Sequence, residues 1–389
     1  MMITDKQLKE WLIEVRRDFH MHPEILFQEV RTTEKIMARL SELGVEHHGF
    51  EDMTGVVGHI RGREPGKTIA LRADIDALPI QELSDIPYKS HTAGCMHACG
   101  HDAHTAIMLG VAKKITESGL SQELKGDIKF LFQPAEEGGG GAKKMIERGV
   151  LENPTVDWII AGHMGPDMPV GTLGIYRGQS HASADRFKLV IHGRGGHGAR
   201  PDQTIDPIVA GAHFVTALQS VVARNINPNE AAVITVGKFI AGDTSNVIPE
   251  YAELEGTIRA LTEDTRKQLW EKIQCISDGI EKTFHTNSIL ELIEGYPVCM
   301  NDKKVADFLY DTFSDFLGSD KIQVLPPTTG AEDFAYFTQE KPGAMIRLGC
   351  GNEPKGIIHP LHSAFFDIDE EVLMIGVELF TEAVRRYLS

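Results

Sequence analysis

IKFLFQPAEEGGGGAKKMIERGVLENPTVDWIIAGH, residues 128–163, is the stretch whose reading decides the fold. Ile128 to Gln133 is an apolar run of strand length, Gly141 to Arg148 reads as a helix, and Val156 to His163 is a second apolar strand. Strands that alternate with helices indicate a largely parallel sheet covered on both faces. The same alternation continues upstream. Val56 to Ile60 and Thr68 to Arg72 read as strands, and a helix runs through Ile107, Leu109 and Val111. The N-terminal helix is signalled by Thr4 and Gln7 at capping-box spacing and by Leu8, Trp11, Leu12, Val15 and Phe19 at helical intervals, with Pro23 marking its end. A second helix passes through Val30, Ile36, Met37, Leu40 and Leu43 and is capped by Gly44.

Downstream the pattern changes near residue 183. Arg186 to His192 alternates as a strand, Pro207 to Val222 is an amphipathic helix, Ala232 to Ile240 and Tyr251 to Leu261 are strands, and Thr265 to Phe284 is a helix. After Pro297 the α/β pattern resumes, with strands over Gln323 to Leu325 and Met345 to Leu348 and a last helix ending near Leu388. The expected class is α/β. One discontinuous domain, residues 1–182 and 298–389, carries a mixed, mostly parallel sheet covered by helices. An inserted α+β, ferredoxin-like lid domain occupies 183–297.

Composition narrows the function. A chain of 389 residues exceeds one ordinary core, so two domains are expected. A formal net charge of -17 leaves no surplus of Lys and Arg to neutralise phosphates, which argues against nucleic acid. No apolar run approaches the ~20 residues of a membrane span, and the polar Met1–Glu10 stretch does not read as a signal peptide. The cysteines are five in number and scattered, so no disulfide framework is expected and a reducing cytoplasm fits.

The chemistry gathers where strands end. Asp74 and Asp76, Glu136 and Glu137, and His163 each follow an apolar strand, and ligands of open α/β sheets bind at that edge. His97-Ala-Cys99-Gly-His101-Asp102-Ala-His104 adds a thiol and three imidazoles within eight residues. Thiolate and neutral imidazole are the preferred ligands of zinc-like ions. Cys99 and His101 sit in a Gly-containing turn that can aim both side chains at one ion. Cys95 and His97 would complete a structural zinc knot instead, but the surplus of downstream carboxylates favours an open catalytic site. Glu136 and Glu137 repel each other unless a cation or proton separates them, which splits their roles into metal ligand and proton carrier. An aspartate of the pair 74/76 can orient a metal-bound histidine. In the insert, His197 on a Gly-rich loop, Asn246 and Arg259 are polar candidates for substrate contact.

These motifs resemble the metallo-amidohydrolase family of hippurate hydrolase, N-acyl-L-amino acid amidohydrolases, auxin–amino acid conjugate hydrolases and N-acetyldiaminopimelate deacetylase. The resemblance spans nearly the whole chain in order. It rests on Phe19-His-Met-His-Pro-Glu24, LRADIDALP at 71–79, HACGHDAH at 97–104, FQPAEEG at 132–138, GGHGARP at 195–201, NVIP at 246–249, GTIR at 256–259, GAEDFAYF at 330–337 and HPLH at 359–362. It implies that Cys99, His101, Glu137, His163 and His362 hold two divalent ions (Mn, Zn, Co or Ni) and that Glu136 is the general acid/base. Asp76 matches the aspartate that, in the wider superfamily, follows a metal-binding histidine by two residues. Here Asp74 stands at that histidine position, Cys99 takes the place of the bridging carboxylate, and His101 supplies the imidazole. His197, Asn246 and Arg259 match lid residues that approach the substrate. The implied protein is a homodimer or higher homo-oligomer that cleaves small N-acyl amino acids. A carboxypeptidase or dipeptidase using the same centre is the nearest alternative. A cysteine hydrolase with Cys99 as nucleophile and a binding protein with structural zinc are more distant ones.

Overall fold

Thr4 opens the first helix as its spacing predicts. Its hydroxyl accepts from the Gln7 N–H and the Gln7 side chain returns to the Thr4 N–H, a complete capping box on the helix Asp5–Met21. The computed structural model describes residues 4–389. They form two compact units. One comprises the described residues up to Gly178 with Met300–Pro326 and Tyr336–Ser389, and the other comprises Gln179–Cys299 and Pro327–Ala335.

The first unit is built on an eight-stranded mixed sheet. Its centre is four parallel neighbours, in the order Lys125–Gln133, Glu64–Asp74, Trp158–Pro169 and Gly343–Gly351. The predicted runs Ile128–Gln133, Thr68–Arg72, Val156–His163 and Met345–Leu348 overlap these central strands, while Val56–Ile60 and Gln323–Leu325 overlap outer ones. Both faces are covered, so the last seven residues of Glu64–Asp74 are all buried. Glu46–Gly49 and Val56–Arg61 add antiparallel strands at one side, and Leu173–Ile175 and Ile322–Val324 extend the other. The helix His101–Ser118 is apolar almost all round and is buried accordingly. It packs against Asp5–Met21 and Glu371–Tyr387. Gly110 permits that approach, since a Cβ there would lie 2.5 Å from Leu12 Cδ2 and 2.6 Å from Val377 Cγ2.

The second unit is an antiparallel sheet in the order Ala232–Ala241, Tyr251–Ala260, Ala184–His192, Asn287–Tyr296. The helices Pro207–Asn225 and Glu263–Phe284 complete a β-α-β-β-α-β, ferredoxin-like order. Phe187, Leu189, Phe214, Leu218, Leu254 and Leu269 form its core. Asp185 fastens helix to strand: its carboxylate accepts from Arg266 at 2.6 and 2.8 Å and from Trp270 Nε1 at 3.1 Å. The strand Asn287–Tyr296 has no counterpart in the sequence reading. It is an edge strand with Ile289 exposed, so its pattern carries no clean burial signal.

Candidate active site

The parallel register sets the site. Asp74 lies opposite Gln133, and Arg72 lies opposite Ala161, so three chains leave or pass the same sheet edge together. His163 corrects the sequence reading: it does not end its strand but lies inside Trp158–Pro169. Beyond Ala161 that strand loses its neighbour on one side and keeps pairing on the other, where Arg347 is opposite His163. The open side is where the imidazole becomes available.

Asp76, two residues past the strand and fully buried, serves two partners. Oδ1 lies 3.2 Å from His101 Nδ1 and Oδ2 accepts the Glu137 N–H at 3.0 Å. A carboxylate can only accept, so His101 donates from Nδ1, which leaves Nε2 for a further partner. His101 starts its helix behind Gly100, which has a left-handed φ of 85° and lies so close to Met164 that a Cβ would fall 2.6 Å from Met164 Cγ.

His163 is set the same way. Its Nδ1 donates to the Met164 carbonyl at 2.9 Å, and Nε2 stands 3.4 Å from Cys99 Sγ. Burial, helped by nearby His104, holds this imidazole well below its usual pKa, so it is neutral, the form that can bind a metal. Burial pushes the Cys99 thiol up, which makes it a poor free nucleophile. Glu137 Oε1 lies 3.2 Å from His362 Nε2. His362 adopts φ 64°, uncommon outside glycine, with its N–H anchored on the Ala98 carbonyl at 2.8 Å.

Glu136 is buried beside this group. It is carried by a turn in which Ala135 has φ 51°, a strained value for a residue with a Cβ. Glu29 holds that turn: Oε1 accepts the Ala135 N–H at 2.9 Å, and Oε2 accepts the Thr54 hydroxyl at 2.6 Å. No motif logic singled out Glu29, because its role is a long-range bond to a backbone amide.

A second buried chain runs behind the ligands. Gln133 Oε1 accepts from Arg72 Nε at 2.8 Å, Arg72 Nη1 pairs with Asp74, and Asp74 Oδ1 lies 2.5 Å from His104 Nδ1. The Met164 N–H donates to His104 Nε2 at 2.9 Å. Burial opposes the charge of Asp74, but Arg72, His101 and His104 overcome it and hold the carboxyl well below its usual range. The ligand-capable atoms of Asp74, His101 and His104 lie close enough for a cation. However, both nitrogens of His104 are already engaged, so this trio is a brace rather than a metal site.

Within the first unit there are three further groupings: Cys99, His101 and His163; Cys99, Glu137 and His362; and His101, Glu136 and Glu137. Within each, the ligand atoms lie within 4.8 Å of one another. They fit divalent ions. His101 Nε2 is buried with no hydrogen-bond partner among the described residues, and such an orphan is costly unless something else binds it. The acidic surroundings act in the same direction. Against burial, Asp74 and Cys99 raise His101 well above its usual value. Hydrogen bonds to Cys99 and Glu137 push His362 up to about 10. The cluster attracts positive charge, which a cation supplies while releasing the protons. Cys95 and His97 do not join: Cys95 Sγ faces the Pro23 carbonyl at 3.5 Å, and neither residue belongs to a ligand group among the described residues.

In the second unit, His197 lies on Gly196–His197, paired with Val247–Ile248. The Gly198 N–H donates to the Asn246 carbonyl at 2.8 Å. That ribbon brings His197 and Asn246 side by side. Arg259 lies on the four-stranded sheet, where burial lowers its pKa and Nη1 donates to the Ile258 carbonyl at 3.0 Å.

Soft and hard ligands at the carboxyl edge of an α/β sheet, with a further buried carboxylate beside them, define a metal-dependent hydrolase. The family profile described as Peptidase family M20/M25/M40 matches residues 70–386, and the chain belongs to that family, whose members hydrolyse amide bonds. The chain is 40% identical over 381 residues to N-acetylcysteine deacetylase of Bacillus subtilis, covering 98% of this chain and 97% of that one. It is also 40% identical over 375 residues to thermostable carboxypeptidase 2 of Saccharolobus solfataricus, covering 95% and 94%. The crystal structure of a dinuclear metal binding peptidase from the M20 family of Bacillus subtilis superposes with a TM-score of 0.86 at 37% identity, covering 98% and 99%. The amidohydrolase resemblance drawn from the motifs holds. No helix among the described residues is long and apolar enough to cross a membrane.

Proposed function

We propose that the protein is an N-acyl-L-amino acid amidohydrolase, cleaving N-acetyl or N-benzoyl amino acids to a carboxylic acid and a free amino acid. The observation that carries this reading is the buried Glu136 carboxylate, whose oxygen lies within 4.8 Å of ligand atoms of both His101 and Glu137. Two divalent ions (Mn, Zn, Co or Ni) held by Cys99, His101, Glu137, His163 and His362 would supply Lewis-acid chemistry. Glu136 takes the proton of the attacking water and passes it to the leaving nitrogen as the amide bond breaks. Asp76 fixes the His101 tautomer throughout. His197 is assigned to donate to the oxyanion, and Asn246 and Arg259 to hold the free α-carboxylate. Similarity to the Bacillus deacetylase over almost both full lengths supports the N-acyl substrate. The reading includes a homodimer or larger homo-oligomer acting in the cytoplasm, the first of which light scattering checks.

A carboxypeptidase is the second reading, supported by the similarity to the Saccharolobus enzyme. The deciding experiment measures hydrolysis of N-acetyl and N-benzoyl amino acids, and of dipeptides, by chelated protein before and after adding Mn, Zn, Co or Ni. Metal-restored cleavage of the N-acyl substrates over the dipeptides is expected. Metal-restored cleavage of peptides alone would move the assignment to the carboxypeptidase.

A further inference from the structure

The motif Phe19-His-Met-His-Pro-Glu24 contributes nothing to the ligand groups, yet its first histidine, His20, and Arg16 one turn earlier are completely buried. Both reach Asp102. Its Oδ2 accepts from Arg16 Nε at 2.8 Å and from His20 Nδ1 at 2.7 Å. The remaining guanidinium nitrogens reach Asp367 at 3.0 Å and Glu370 at 3.4 Å. Nε2 of His20 lies 3.5 Å from Glu82, whose other oxygen accepts the Ser90 N–H at 2.7 Å. The 82–90 loop and the start of the last helix therefore converge on the Arg16–His20 pair that grips this carboxylate.

That carboxylate is the immediate neighbour of His101. Consecutive helical residues point ~100° apart around the axis. His101 is gripped by Asp76 on one side, and Asp102 is gripped by Arg16 and His20 on another. Two grips at different angles fix the rotation of the first helical turn, and with it the direction of His101 Nε2. Buried ion clusters are expensive and add little net stability over apolar packing. A role in defining geometry accounts for the cluster where stability does not.

We propose that Arg16 and His20 are positioning residues that act through Asp102 to aim the Cys99–His101 turn at the metal. This inference rests on reading Cys99 and His101 as ligands. The test loads wild type, His20→Phe, His20→Asn, Arg16→Lys and His101→Ala with Co(II). It records the visible absorption spectrum, Co(II) affinity by chelator competition, kcat, KM and melting temperature. His20→Phe keeps shape and removes the donor. It is expected to weaken Co(II) binding about 10- to 100-fold, to change the Co(II) spectrum, and to lower kcat while KM stays within about twofold. His20→Asn returns a donor near the Nδ1 position and is expected to restore the spectrum. If His101→Ala binds Co(II) like wild type, the ligand reading fails. If His101→Ala loses the ion while His20→Phe keeps wild-type affinity and spectrum, the positioning inference fails, even where the melting temperature drops. Should Arg16→Lys not fold, the His20 pair alone decides.

Discussion

The main-chain N–H of Met164 donates to Nε2 of His104 at 2.9 Å, which fills the lone pair that would make this histidine a ligand. His104 and His101 lie one helical turn apart with ring centroids 5.4 Å from each other, yet only His101 keeps a free nitrogen. The predicted outcome is asymmetric. His104→Gln keeps wild-type metal stoichiometry by atomic absorption, whereas His101→Ala loses metal. Equal loss in both would make His104 a ligand.

Glu136→Gln keeps the shape of the side chain and removes its basicity. Metal content and melting temperature should stay at wild-type levels while kcat falls by about 10²- to 10⁴-fold. Wild-type turnover in this variant would remove Glu136 from the reaction.

Asp76→Ala breaks both bonds of the bridging carboxylate. Metal affinity should fall about 10- to 100-fold, and more than in Asp76→Asn, which keeps one acceptor. Competition with a chromophoric chelator measures the difference.

Alkylation separates a metal thiolate from a nucleophile. Cys99 is buried and its thiol is raised by burial, while Cys275 is exposed. Iodoacetamide on the metal-loaded protein should label Cys275 first with little loss of activity. Mass spectrometry locates the adduct, and rapid inactivation through Cys99 would revive the cysteine-hydrolase mechanism.

Lys129 gives a pH signature away from the site. It is buried, with Nζ donating to the Val150 carbonyl at 3.1 Å and to the Glu152 carbonyl at 2.5 Å. Burial lowers its pKa to about 8. In the unfolded chain the value is ~10.4. Between these values the unfolded state binds more protons, so this residue makes stability rise with pH from about 8 toward ~10.4. Below about 8 both states are protonated and the slope vanishes. Urea midpoints from pH 7 to 10 should show that rise in wild type and a smaller one in Lys129→Met.

Much of this was legible in the sequence, for local reasons. The Thr4/Gln7 capping box, the apolar runs of the central strands and the carboxylates just past them are short-range patterns, and each appears in the structure. The ligand candidates Cys99, His101, Glu137, His163 and His362 come together. What stayed hidden depends on distance along the chain. Glu29 holds Ala135 across 106 residues, and Arg16 holds Asp102 across 86. His104 was visible in its motif, but its brace role depends on a backbone amide of the strand Trp158–Pro169. The strand Asn287–Tyr296 was missed because an edge strand satisfies only one side of its ladder and tolerates exposed apolar residues.

The two oxygens of Asp76 are shared between a side chain on a helix and a backbone amide on a loop, so ordering either partner stiffens the other. Binding equilibria that draw separately on His101 and on Glu137 are then not independent. By thermodynamic reciprocity, occupancy at one changes affinity at the other by the same factor that it receives in return. A metal titration of this protein should accordingly depart from two independent sites, and replacing Asp76 with alanine should reduce that departure.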